Sequence, residues 1–97
     1  MSTLYVAVLT YVRPLEEIDA HIPEHVEWLK LGYRDGAFLA SGRRVPRTGG
    51  IILAKGASLK EIEERMRQDP FQKLGLATVE ILPFEPSMTA EGFPALA

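Results

Sequence analysis

The stretch "TLYVAVLTYV" at residues 3 to 12 leaves a chain like this few options. Its density of β-branched and aromatic side chains reads as a strand, and a strand turns successive side chains to opposite faces. Leu4, Val6, Val8 and Val12 then share one face, and Tyr5, Ala7, Leu9 and Tyr11 share the other. Both faces are apolar, so both need cover. With 97 residues the chain reads as a single domain, residues 1–97, near the lower size at which one core stabilises a fold unaided. Few elements remain to supply that cover.

The rest of the sequence predicts them in order. After "RPLEEIDAHI", an irregular turn or short helix, Pro23 suits the first turn of a helix running to about Asp35, with Gly36 as its stop. Ile22, Val26, Leu29 and Tyr33 recur at helical spacing and form its expected core stripe. "AFLASG" and "GGIILAKG" read as two strands joined by the basic, turn-rich "RRVPRTGG". Ser58 with Glu61 three residues on has the capping-box pattern for a second helix, "LKEIEERMRQD", whose inner stripe is Leu59, Ile62 and Met66. Residues 76 to 85, "LATVEILPFE", make a last strand, with Pro83 tolerable at a sheet edge. Strand, helix, strand, strand, helix, strand is the split βαβ order of the ferredoxin-like α+β fold, an antiparallel sheet with two helices on one face. Because the first strand is apolar on its second face too, the sheet is expected to pack against the same sheet of another copy, giving a homodimer. The tail from residue 86 holds Phe93 and Leu96, which either close a cleft or fray.

Composition narrows the function. Eleven basic against thirteen acidic residues, a formal charge of −2, argue against a nucleic-acid binder that works by phosphate neutralisation. The expected partners are a small molecule and a second copy. The N-terminal apolar run is too short to span a membrane and lacks a basic leader segment, so the expected location is the cytoplasm. Without cysteine there is no thiolate nucleophile or Cys-based zinc site. His21 and His25 have the i, i+4 spacing of a metal pair, but Pro23 lies between them and no third ligand is near, so no metal is expected. "GRRVPRTGG" lacks the Lys-Ser/Thr and the strand–loop–helix setting of a phosphate loop. No cofactor fingerprint is present.

Four groups of residues remain as candidates for chemistry. His25 falls in the first turn of the predicted helix, where the dipole opposes an imidazolium and favours the neutral ring that serves as base or donor. An idle, half-exposed histidine is the alternative. Asp69 follows Met66 by three residues, which turns it toward the inner stripe, and an inward carboxylate needs a donor. Its alternative is an Asx-turn opened by "DP". A carboxylate bonded to one imidazole nitrogen would fix the tautomer and free the other nitrogen to move a proton. Arg43, Arg44 and Arg47 suit a carboxylate or phosphate, or else form a solvated basic face. Trp28, one turn past His25, suits either a pocket wall or ordinary packing.

Three motifs, in order, carry a resemblance: a helical histidine before "VEWL" (here His25), the "DG-FLASG" step at residues 35 to 42, and "DPF" at 69 to 71. Over nearly the whole chain up to Pro86 the sequence resembles the YciI-like (YCII-related) family. The resemblance implies a dimeric α+β barrel of ferredoxin-like subunits and an active-site His-Asp pair, which maps onto His25 and Asp69. It also implies ligand contacts at Ser41 and Gly42, with Arg43 standing where members often have proline. A dehydrochlorinase acting on a hydroxylated aromatic belongs to this family, so the implied chemistry is elimination or a related proton transfer without a cofactor. The competing expectation is a non-catalytic ligand-binding or assembly module in which the His-Asp pair is a structural strut.

Overall fold

The computed structural model describes residues 3–93. Leu96 therefore lies outside the described residues. Strand β1 (Leu4–Tyr11) is followed by helices α1 (Leu15–Ala20) and α2 (Ile22–Arg34). The hairpin β2 (Phe38–Arg43) and β3 (Gly49–Lys55) comes next, then α3 (Leu59–Arg67), α4 (Pro70–Lys73) and β4 (Ala77–Phe84). The four strands form one antiparallel sheet in the order β2-β3-β1-β4. This is the ferredoxin-like α+β arrangement, with two additional short helices. Strand β4 lies at an edge, where Pro83 removes no interior ladder bond.

Local signals explain most of the boundaries. Ser58 accepts a hydrogen bond from the Glu61 amide at the start of α3, while the Glu61 carboxylate reaches back to the Ala57 amide. At the end of α2, the amide of Gly36 donates to Tyr33 and that of Ala37 to Gly32, which closes the last carbonyls. Gly36 has φ of 78° there, a conformation that favours glycine.

The core stripe of α2 differs from the expectation. Trp28 and Gly32 are its buried residues, while Val26 and Tyr33 are exposed by 38% and 43%. The reason is Phe38: a Cβ built on Gly32 would stand 2.1 Å from its ring, so the bare backbone at Gly32 is what lets α2 lie against it. Trp28 meets the same ring edge-on at 5.2 Å. In α3, Ile62 and Met66 are buried as expected, but Leu59, in the first turn, is 40% exposed.

Beneath the helices the sheet contributes Tyr5, Ala7, Leu9, Ile52 and Ala54 to the main core. On the other face, Val6 and Val8 remain half-buried. Across the ladders Val6 lies beside Leu53 and Leu82, and Val8 beside Ile51. Leu82 and Phe84 are exposed by 48% and 43%, so apart from Glu80 opposite Val8 this face is apolar, and no helix among the described residues covers it.

Candidate active site

A cavity of about 230 Å³ lies between α2 and the helix-covered face of the sheet. Helix α2 contributes Ile22, His25, Val26 and Leu29 to its wall. The sheet supplies Leu9 and Tyr11 from β1, Ser41, Gly42 and Arg43 from β2, and Gly50, Ile51 and Ile52 from β3. Arg47 from the hairpin loop and Phe71 from α4 complete it.

The "DPF" segment builds the floor beside His25, and each of its residues has a separate task. Asp69 is the N-cap of α4, with its Oδ1 accepting the Phe71 amide at 3.0 Å. Pro70 opens the helix, where a missing N–H costs nothing. Phe71 is buried and stacks on the His25 ring, with centroids 4.1 Å apart and planes within 4°. Tyr11 meets Phe71 edge-on at 5.9 Å, which locks the stack against β1.

Asp69 does not end α3, as its position after the Met66 stripe suggested. Helix α3 stops at Arg67, and the chain winds on through amide bonds from Gln68 to Arg65 and from Asp69 to Met66. These carry the helical turn far enough to keep Asp69 pointing inward. Its side chain is fully buried.

The same Oδ1 atom accepts a second bond, from Nδ1 of His25 at 2.8 Å. A carboxylate oxygen can only accept, so Nδ1 carries the hydrogen and Nε2 is left bare in the neutral ring. Among the described residues Nε2 has no hydrogen-bond partner and Asp69 Oδ2, also buried, has none. The imidazole is 17% exposed and lines the cavity. Thus the Asx-turn and the His-Asp pair, read from the sequence as alternatives for Asp69, coexist on one oxygen atom.

Of the other candidates, Ser41, Gly42 and Arg43 line the same cavity. The Ser41 hydroxyl lies 2.7 Å from that of Tyr33, which ties the end of α2 to β2. The Arg43 side chain makes no ion pair or hydrogen bond among the described residues. Arg47 is paired with Asp19 of α1, whose carboxyl this bond holds below its usual range; the nearby Arg43 charge acts in the same direction. Reciprocally the bond raises the Arg47 guanidinium above its ordinary value. Arg44 instead donates to the Thr10 hydroxyl at 3.0 Å and does not line the cavity.

Trp28 is not part of the cavity wall. It is packed in the core against Phe38, 5.7 Å from the His25 ring. Sequence reasoning gave no role to Phe71 and misread Tyr33 as core. "DPF" does carry the aromatic beside the aspartate, but nothing local shows that it stacks on a ring 46 positions away. Phe93 does not line the cavity either. Among the described residues no three His, Cys, Asp or Glu side chains stand together as a metal site, and no helix is long and apolar enough to cross a membrane.

A search of curated proteins found no match. Among solved structures the fold is similar to that of 5-chloro-2-hydroxyhydroquinone dehydrochlorinase from Burkholderia phenoliruptrix AC1100, in complex with 2,5-dihydroxybenzoquinone. The TM-score is 0.73 at 18% identity, over 84% of this chain and 93% of that one. At that identity the likeness is one of fold. The model of the YCII-related domain matches residues 4–85, nearly the whole of the described sheet and its helices, and the chain belongs to that family.

Proposed function

We propose that the protein is a small cofactor-independent enzyme in which the His25–Asp69 pair performs proton transfer of the elimination type on a small metabolite. The observation that carries this reading is the 2.8 Å bond from Nδ1 to a buried carboxylate at a cavity wall, which leaves Nε2 as the free base. In the proposed step Nε2 takes a proton from a substrate carbon or hydroxyl. The electron pair left behind forms the new double bond, and the leaving group departs with its own pair as an anion. Asp69 stabilises the imidazolium and holds the ring in place, and Phe71 fixes the plane in which it works. The structural likeness to a dehydrochlorinase supports the same reaction class.

Two measurements test this reading. Hydroxylated, halogen-bearing single-ring compounds, assayed for halide release, are expected to include a substrate; release no faster than in buffer across the set would sink the proposal. The ¹⁵N chemical shifts of the His25 ring are expected to show the Nδ1–H tautomer in the wild type and a redistribution of the hydrogen between the two nitrogens in Asp69→Asn. Identical ring spectra would mean that the carboxylate does not orient the base.

A second reading, a ligand-binding or assembly module, is favoured by one observation: Asp69 Oδ1 also caps α4, so the pair serves the fold as well. The two readings part on turnover.

The working unit of the proposed enzyme is a homodimer built sheet to sheet. The exposed face with Val6, Val8, Ile51, Leu53, Leu82 and Phe84 supports this, since a second copy would remove it from water. Sedimentation is expected to give a dimer for the wild type and a monomer for Leu53→Arg, whose charge would be stranded in an apolar interface. A monomeric wild type at micromolar concentration would refute the dimer.

A further inference from the structure

Resting on the proton-transfer reading, we propose a substrate class for the site: a single six-membered ring carrying one negative charge, with its oxyanion seated on Arg43. Size sets the first limit. A dry apolar cavity of about 150 Å³ accepts benzene, so about 230 Å³ accommodates one ring with one or two small substituents. The walls fit a flat ring, because Leu9, Val26, Leu29 and Ile52 offer an apolar slot between helix and sheet.

The charges set the second limit. Two guanidinium groups border the cavity, but they are not equivalent. Arg47 is hydrogen-bonded to Asp19, whereas the Arg43 side chain, whose charge is near enough to lower the Asp19 carboxyl, forms no hydrogen bond or ion pair among the described residues and keeps its donors for a ligand. One unmatched guanidinium suits one carboxylate or one ionised ring hydroxyl, held by two parallel N–H bonds. A phosphate dianion would leave its second charge unmatched there. The Asp69 carboxylate lies buried behind the imidazole and would repel an anion from that end. The cavity is therefore polarised, with its negative group behind the base and its free positive group on β2. A bound anion is turned so that its charge meets Arg43 and its uncharged, proton-bearing edge meets Nε2. Ser41, tied to Tyr33, adds a hydroxyl to the same wall.

Benzoate and benzamide have nearly the same shape and differ in charge, which makes them suitable probes. Titrated into the wild type and followed by amide NMR shifts of the cavity residues, benzoate is expected to bind roughly tenfold more tightly than benzamide, the gain of one charge-assisted bidentate contact. Arg43→Gln is expected to abolish that preference, and Arg43→Lys to retain most of it. Position 43 is exposed on an edge strand, and the amide spectrum of each variant shows directly that it is folded. Equal affinity for the two probes, absence of any benzoate-dependent shift at millimolar concentration, or an undiminished preference in Arg43→Gln would each overturn the proposal. These titrations need no turnover. A preference that persists while no halide is released would leave the charge assignment standing and sink the proton-transfer reading alone; turnover without the preference would do the opposite.

Discussion

Glutamine in place of His25 is expected to lower turnover by about 10²–10⁴-fold, the range over which a positioned general base acts. The side-chain amide can still donate to Asp69 Oδ1, so the buried carboxylate keeps a partner and the protein keeps its fold. His25→Ala leaves that oxygen with the Phe71 amide alone and strips one face of the Phe71 ring, so it is expected to cost about 1–3 kcal/mol of stability as well. Added imidazole is expected to restore part of the activity of His25→Ala by entering the space its ring vacates. Turnover in His25→Gln at the wild-type rate would rule out the base assigned to this residue. A strut would behave differently: His25→Ala would lose the same stability, but ligand affinity would stay unchanged.

Gly49→Ala is the substitution with the largest expected effect on stability. A Cβ at that position would lie 1.8 Å from the carbonyl oxygen of Leu9 and 2.7 Å from its carbonyl carbon. The obstacle is the backbone of β1, a strand paired on both sides, which cannot rotate out of the way as a side chain can. Relief requires β3 to draw back from β1 and break ladder bonds, and the expected loss is about 3 kcal/mol or more, at or beyond the upper end of ordinary overpacking. Urea unfolding measures it directly. Gly42→Ala is the matched control: nothing among the described residues lies within 4 Å of its Cβ, and its midpoint is expected to stay close to that of the wild type. Equal midpoints for the two variants would contradict the close approach of β3 to β1.

These residues also show what was legible in the sequence. The two-faced β1, the capped α3 and the edge placement of Pro83 follow from periods of 2 and 3.6 residues and from local hydrogen-bonding chemistry, and the strand order agrees with them. Helix α4 escaped notice because four residues are too few to show a period. The stripe of α2 was misplaced because Val26 and Tyr33 announce themselves as apolar, whereas Gly32 announces nothing. Its importance depends on Phe38, which reaches it only through the fold. For the site, the inward turn of Asp69 was readable from its spacing to Met66, but its meeting with His25, forty-four positions earlier, was not; family resemblance supplied the pairing. Arg43 and Arg44 are adjacent in sequence and opposite in fate, since β2 ends at Arg43 and Arg44 already belongs to the hairpin loop. Only coordinates assign one to the cavity and the other to Thr10.

The sharing of one Asp69 oxygen between imidazole and helix cap has an evolutionary corollary. Any change there alters reactivity and folding together, so selection cannot tune either alone. In the hairpin, Gly42 and Arg43 line the cavity and carry no such double duty. A library randomised across them would sample new ligands on unaltered chemistry, which makes that hairpin the place to begin redirecting this scaffold.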